Sequence, residues 1–317
     1  MKCLIVGAGG VGGSIAAFLA LAGNEVTCIV RGAHKENMLA HGLKFHSDLK
    51  GEIILPCYQS GQLPSDAAMP YMQVCSTDEY MDTADVIFVC VKGYSVDSVA
   101  PCIRRAALPH TVVVPILNVY GSGPRIARAC PGVHVIDGCI YIVGFVNAPG
   151  EVTQMGQVFK LIFGARPSDD VPAERLERIR TLLANAGIKA ICSDDINRDT
   201  FVKWGFISAM ACTGAYFDVP MGEVQHEGPA RDVFIGLTRE STLLGEKMGI
   251  RFPEDPVTAN LRVIDALDPH STSSLQKDLA KGHESEIQGQ LFDMLDACHK
   301  WGIEAPTYER VAAKFRQ

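Results

Sequence analysis

The chain has 317 residues, 47% of them hydrophobic and 21% charged, with a net charge of −7 at pH 7 and a pI near 5.7. That length supplies two domain cores. The acidic balance, with no basic run, excludes a nucleic-acid surface, and no apolar stretch approaches the roughly 18 residues of a membrane span. The eleven cysteines are scattered, with no C-x-x-C pair and no His-Cys cluster at metal spacing. Free thiols, no metal and a cytoplasmic location are therefore expected. The apolar N-terminal segment is too short and glycine-rich for a signal peptide.

The first predicted elements are a short apolar strand ending at Val6, the turn Gly7-Ala8-Gly9-Gly10-Val11-Gly12, a helical pattern from Ser14 to Leu21 and a strand from Glu25 to Val30. G-x-G-x-x-G acquires meaning only in this strand–turn–helix setting. Gly7 serves the tight turn, Gly9 lets the backbone approach a pyrophosphate, and Gly12 lets helix and strand pack closely. Phosphates would rest on the unpaired N–H groups of the helix start. NAD-binding chains place an acid at the end of the second strand for the ribose 2′-OH. Here Arg31 follows Val30, and Glu25 lies too early. An arginine suits a 2′-phosphate, which points to NADPH, although a solvated surface arginine would look the same.

Residues 36–41 begin another helical pattern, and Leu43 to Met81 mixes short strands with turn residues in what looks like a peripheral insertion. Ala84 to Val91 is a nearly continuous apolar run, as in a parallel strand covered on both faces. It ends at Lys92, and a helix follows to about Arg105. Thr111 to Leu117 forms a strand closing on Asn118, and Val133 to Val146 and Glu151 to Phe163 form a strand and hairpin. Ligands of open α/β sheets bind at the carboxyl ends of the strands, so Gly12, Arg31, Lys92 and Asn118 are candidates for one crevice. Past Pro172 the pattern turns helical: Glu174–Asn185, a connection over Gly187–Ser193, then Ile196–Tyr216, Arg231–Met248, Asp255–Ala266, Leu275–Ala280, Glu286–Trp301 and Thr307–Phe315. The expected architecture is an α/β Rossmann-type N-terminal domain (residues 1–170, mostly parallel sheet) followed by an all-α domain (residues 171–317).

With both halves in view, the chain resembles the ketopantoate reductase (2-dehydropantoate 2-reductase) family nearly end to end. The resemblance rests on Gly7-x-Gly9-x-x-Gly12 with Arg31, on Val91-Lys92 and Leu117-Asn118, and on Phe201-Val202-Lys203-Trp204. It continues in Ser273-Ser274-Leu275-Gln276-Lys277-Asp278, Glu286-Ile287 and Gly302-Ile303-Glu304-Ala305-Pro306-Thr307. It implies hydride transfer from NADPH to the C2 carbonyl of a 2-keto acid, with Lys203 as proton donor. Negative charge builds on the carbonyl oxygen, so a positioned cation that can release a proton lowers the barrier. Lys203 lies in an apolar helical stretch, where desolvation makes its ammonium a better acid; a lysine snorkelling to the surface gives the same pattern. Asn118 would orient nicotinamide or carbonyl, or simply end a strand. Lys92 would hold a carboxylate or a cofactor oxygen, or stay solvated. Ser274 would bind the substrate, or Ser271 to Ser274 would cap the following helix. Glu286 would sit near the nicotinamide ribose and restrain the lysine's pKa, or answer a helix dipole.

The chain departs from the family where asparagines follow the lysine by one and two turns: Ile207 and Ala211 stand there, with Ser208 and Thr213 the nearest polar groups. Val119-Tyr120 replaces the usual asparagine-glycine pair. A more apolar 2-keto acid is thus a second substrate expectation. A related dehydrogenase of the 3-hydroxyacid or opine type and a non-catalytic NADPH sensor are further alternatives. A homodimer is compatible with the helical half.

Overall fold

The computed structural model describes residues 1–63 and 69–316. It divides into two compact units, Met1–Leu117 with Gly121–Ile196, and Asn118–Tyr120 with Asn197–Gln317.

The first unit holds β1 (Lys2–Val6), α1 (Gly10–Leu21), β2 (Glu25–Ile29), α2 (Gly32–His41), β3 (Leu43–Ser47), β4 (Gly51–Leu55), β5 (Cys57–Gln59) and β6 (Met72–Cys75). There follow β7 (Ala84–Val89), α3 (Val96–Ala106), β8 (Ala107–Pro115), α4 (Ser122–Ala129), β9 (His134–Val135), β10 (Asp137–Ala148), β11 (Glu151–Gly164), α5 (Ala173–Asn185) and β12 (Lys189–Cys192). Seven strands make a parallel sheet in the order β5-β6-β2-β1-β7-β8-β9. The order reverses between β1 and β7, the place where doubly wound sheets bind nucleotides.

The hairpin Val133–Phe163 does not extend that sheet as a simple α/β pattern would have it. Only β9 joins it. Strands β10 and β11 pair with β3 and β4 in a second sheet of order β10-β11-β3-β4, with β12 alongside β11. The Leu43–Met81 segment therefore serves both sheets; its residues 64–68 lie outside the described residues. Between the sheets runs α1, whose residues Gly12 to Ala20 are all buried, as expected of a helix that is apolar on every side. Glycine permits the approach: a Cβ on Gly10 would lie 2.3 Å from the backbone of Gly144 in β10. Phe18 meets Phe159 and Phe45 edge-on at 4.7 and 6.1 Å.

Leu176, Ile179, Leu182 and Leu183 of α5 join this same core, and β12 pairs with β11. The unit thus runs to Ile196, beyond the 170/171 boundary expected from the change to a helical pattern. An amphipathic stripe declares that a face is buried, not which core buries it.

The second unit is helical: α6 (Ile196–Phe217, its body from Asn197), α7 (Met221–Gln225), α8 (Pro229–Lys247), α9 (Pro256–Asp265), α10 (Ser274–Ala280), a π-helical turn (Gln288–Phe292), α11 (Asp293–Lys300) and α12 (Pro306–Phe315). Its core includes Phe201, Trp204, Phe234, Leu237, Leu291, Leu295 and Tyr308. Glu240 of α8 accepts the N–H groups of Thr307 and Tyr308 at 2.7 and 2.9 Å, satisfying the start of α12 with a carboxylate.

Candidate functional site

The glycine turn follows β1 and opens α1. Gly7 has φ +96°, and a Cβ on it would lie 2.9 Å from Val91 Cγ1, so the turn is pressed against the end of β7. A Cβ on Gly12 would lie 2.0 Å from the Gly7 carbonyl and 3.0 Å from Cys90 Cβ. Only glycine fits there. Gly9 differs: a Cβ would meet nothing within 4 Å. Its space is open, on the side where a ligand has to approach the N-terminus of α1. No side chain caps that N-terminus, and its first turn holds no acid, so the N–H groups around Gly10, Val11 and Gly12 keep their affinity for an anion. Ala8 is buried beneath the turn. Burial pushes the Cys90 thiol up to about 12, so this cysteine packs rather than reacts.

Arg31 stands at the N-cap position of α2, exposed, and among the described residues makes no ion pair. Lys92 is half-buried at the N-cap position of a 3₁₀ turn, Gly93–Ser95, just beyond β7. The glycine turn, Arg31 and Lys92 thus follow β1, β2 and β7, three adjacent parallel strands. This end of the sheet has the shape and chemistry a dinucleotide requires: a cradle open at Gly9, uncapped amides, and a free guanidinium one strand away.

Asn118 belongs to the second unit, with Val119 and Tyr120. Tyr120 stacks on Trp204, and the Trp204 indole donates to the Gly289 carbonyl at 2.9 Å. A Cβ on Gly289 would lie 2.2 Å from Val119 Cγ1. The three segments that carry Asn118, Lys203 and Glu286 are therefore fastened to one another within this unit. Lys203 and Glu286 are each only 6% exposed. Lysine and glutamate are seldom buried so far without a partner, and neither of these is without one.

Glu286 was expected to open a regular helix. Instead a π-helical turn intervenes before α11, a form that recurs at functional sites. Its Gln290 carbonyl accepts from Ser208, whose hydroxyl also lies 2.8 Å from the Tyr308 hydroxyl. Ser208 is thereby engaged within the core of the helical unit. Burial holds the Tyr308 phenol well above its ordinary pKa, so it remains a protonated partner.

On the serine pair, the structure separates the two roles. Ser273 is the N-cap of α10, its hydroxyl accepting from the Gln276 N–H at 3.2 Å while the Gln276 side chain accepts from the Ser273 N–H at 2.9 Å, a reciprocal capping box. Ser274 is the first helical residue and exposed, so its hydroxyl is not consumed by the cap. Its neighbour Leu275 packs on Ala211 and Ala215 of α6, with Ile287 beside them. Ala211 is 1% exposed and closed in by apolar packing, while Ile207 is half-buried. Tyr120, Trp204 and the π-helical turn are the members of this site that spacing along the chain does not disclose.

Residues 3–168 match the family model described as Ketopantoate reductase PanE/ApbA, and residues 195–317 match its C-terminal counterpart. Over its full length the chain is 28% identical to an uncharacterized oxidoreductase, YkpB, of Bacillus subtilis, of which it covers 98%. It is 29% identical to a 2-dehydropantoate 2-reductase of Mesorhizobium japonicum, of which it covers 97%. Among solved structures it resembles a PanE/ApbA family ketopantoate reductase from Ralstonia eutropha, with TM-score 0.85, 22% identity and coverage of 100% of this chain and 97% of the other. It also resembles a D-mandelate dehydrogenase solved with NADH and anilino(oxo)acetate, with TM-score 0.84, 20% identity and coverage of 98% and 96%. The two family matches fall in order on the parallel-sheet unit and on the helical unit, and the chain belongs to the ketopantoate reductase family of oxidoreductases.

Proposed function

We propose that the chain reduces the C2 carbonyl of a 2-keto acid with NADPH, with Lys203 as proton donor, and that its substrate is 2-dehydropantoate (ketopantoate), giving (R)-pantoate. The observation that supports this most is the burial of Lys203 on α6 beside Trp204, the residue on which the Asn118 and Glu286 segments are fastened. The cofactor, when bound, supplies a hydride to the carbonyl carbon. The Gly7–Gly12 turn would hold its pyrophosphate, Arg31 its 2′-phosphate, and Lys92 a phosphate oxygen or the substrate carboxylate. Charge gathering on the carbonyl oxygen meets the Lys203 ammonium, which gives its proton to that oxygen and completes the hydroxyl. Glu286 favours the charged lysine, keeping it a donor. Asn118, with donor and acceptor both, orients the nicotinamide or the carbonyl, and the Ser274 hydroxyl holds the acid.

A second substrate class, a more apolar 2-keto acid, is favoured by Ile207 and by the closed packing of Ala211, since neither side chain can receive a substrate hydroxyl. NADPH oxidation with ketopantoate beside a panel of aliphatic and aromatic 2-keto acids decides between them. Turnover of ketopantoate supports the first substrate, and turnover of an apolar acid alone supports the second. Silence on every acid, with tight NADPH binding, would favour a sensor. A homodimer and a cytoplasmic role in pantothenate synthesis belong to the same proposal.

A further inference from the structure

His34 lies in the first turn of α2, and its two ring nitrogens join parts of the first unit that are far apart in sequence. Nε2 is 3.0 Å from the carbonyl oxygen of Ala8, inside the glycine turn. Nδ1 is 2.8 Å from the backbone N–H of Gly150, in the turn between β10 and β11. A carbonyl can only accept and a backbone N–H can only donate. Nε2 must therefore carry the hydrogen and Nδ1 must be bare. The neutral Nε2–H tautomer satisfies both bonds, and no other state of the ring does. An imidazolium would keep the Ala8 bond but turn a second N–H against that of Gly150.

Both ends of this bridge are held. Gly150 has φ +78°, its carbonyl accepts from the Lys44 N–H at 2.9 Å, and a Cβ on it would lie 2.9 Å from Asn37 Cβ of α2. At the other end, the Ala8 carbonyl belongs to the same planar peptide as the Gly9 N–H, which points the opposite way. Fixing that carbonyl fixes the direction of the N–H at Gly9, the one glycine of the turn whose surroundings are open.

We propose that His34 is a positioning residue for the cofactor phosphates: through the Ala8 carbonyl it aims the Gly9 N–H outward, and it does so only while neutral. The proposal rests on the assignment of the Gly7–Gly12 turn to the cofactor. Burial lowers the His34 pKa below its ordinary value, with the Ala8 bond opposing in part, so the neutral ring persists into mild acid. The charged groups on the elements it joins are otherwise occupied or turned to solvent. On α2, Lys35 pairs with Glu79, while Glu36, His41 and the preceding Arg31 are exposed or at its ends. On β11, Glu151 pairs with His46 of β3, and Lys44 of β3 is exposed. The glycine turn itself has no charge.

The test is NADPH affinity of the full chain, read by quenching of protein fluorescence from pH 5 to 8, in wild type, His34→Gln, His34→Ala and Gly9→Ala, whose added methyl group meets nothing in the protein, with ¹⁵N NMR of the imidazole in the cofactor-free protein. The imidazole spectrum at pH 8 should show the Nε2–H tautomer; an Nδ1–H tautomer overturns the proposal. His34→Ala should weaken NADPH about fivefold or more at pH 8, the value of one lost positioning hydrogen bond. His34→Gln, which can donate to one carbonyl and accept one N–H without titrating, should bind like wild type at pH 8. It should also lack the part of the acid weakening that His34 contributes. Comparison between variants removes the titration of the NADPH 2′-phosphate, common to all. If Gly9→Ala weakens NADPH while His34→Ala binds it as wild type does, His34 has no such role. If neither substitution affects binding, the cofactor assignment of the turn fails and the proposal with it.

Discussion

Tyr120 lies nearly flat on Trp204, with ring centroids 5.3 Å apart and planes inclined by 14°, and both rings meet Phe201 edge-on. Tyr120 follows Asn118 by two residues, and Trp204 is the immediate neighbour of Lys203. The stack thus ties the Asn118 segment to the helix that bears Lys203. Tyr120→Ala should lower the stability of the helical unit by about 1–2 kcal/mol and reduce kcat more than it raises KM for NADPH. Thermal unfolding with steady-state kinetics checks both. An unchanged Tm and kcat would show that the stack is incidental.

Lys203→Ala should reduce kcat by roughly 10²–10⁴, the range for loss of a positioned proton donor, while NADPH affinity stays within about twofold. Stopped-flow turnover and equilibrium binding separate the two. Undiminished turnover would reject the assignment of Lys203.

Arg31→Ala should weaken NADPH by about tenfold or more, as expected for loss of a bidentate charge-assisted contact, and leave NADH nearly untouched. Parallel titrations with both cofactors measure the ratio. Equal losses for the two would remove the 2′-phosphate from Arg31.

Gly9 and Gly12 should respond differently to the same added methyl group. Gly12→Ala places a Cβ 2.0 Å from a carbonyl oxygen and should cost about 3 kcal/mol or more, since neither backbone can yield. Gly9→Ala meets nothing in the protein, and Gly9 has φ −72°, so its stability should change by only about 0.5 kcal/mol. Its NADPH affinity should still fall, because the methyl group occupies the approach of the pyrophosphate. Tm measured with and without NADPH distinguishes the two cases.

Ile207 and Ala211 should not be equally open to substitution by asparagine. Ile207 is half-buried, and Ile207→Asn should leave the fold intact and raise kcat/KM for ketopantoate relative to apolar keto acids by about tenfold. Ala211 is enclosed by Ala215, Leu275 and Ile287, so Ala211→Asn buries an amide among apolar groups and should cost about 1–3 kcal/mol. A kcat/KM ratio that does not move in Ile207→Asn would show that this side chain does not touch substrate.

What could be read from the chain alone was what neighbouring residues determine. The β1–α1–β2 unit with its glycine turn, Arg31 after β2, Lys92 after β7 and the long helix bearing Lys203 all lie near where the patterns put them, because turn glycines, apolar runs and helical spacing act over a few residues. The tertiary structure decided what depends on segments far apart. Strands β3 and β4 join β10 and β11 about a hundred residues later, because that second sheet covers the face of α1 left bare by the first. The stripe of α5 could be seen, but its core could not. The serine run announced a cap, yet only the backbone at Ser273 and Gln276 shows which serine makes it and which is left free. Tyr120 on Trp204, the π-helical turn and the two bonds of His34 follow the same rule. Each is a single hydrogen bond or ring contact between remote segments, too specific in geometry to leave a period or a spacing in the sequence.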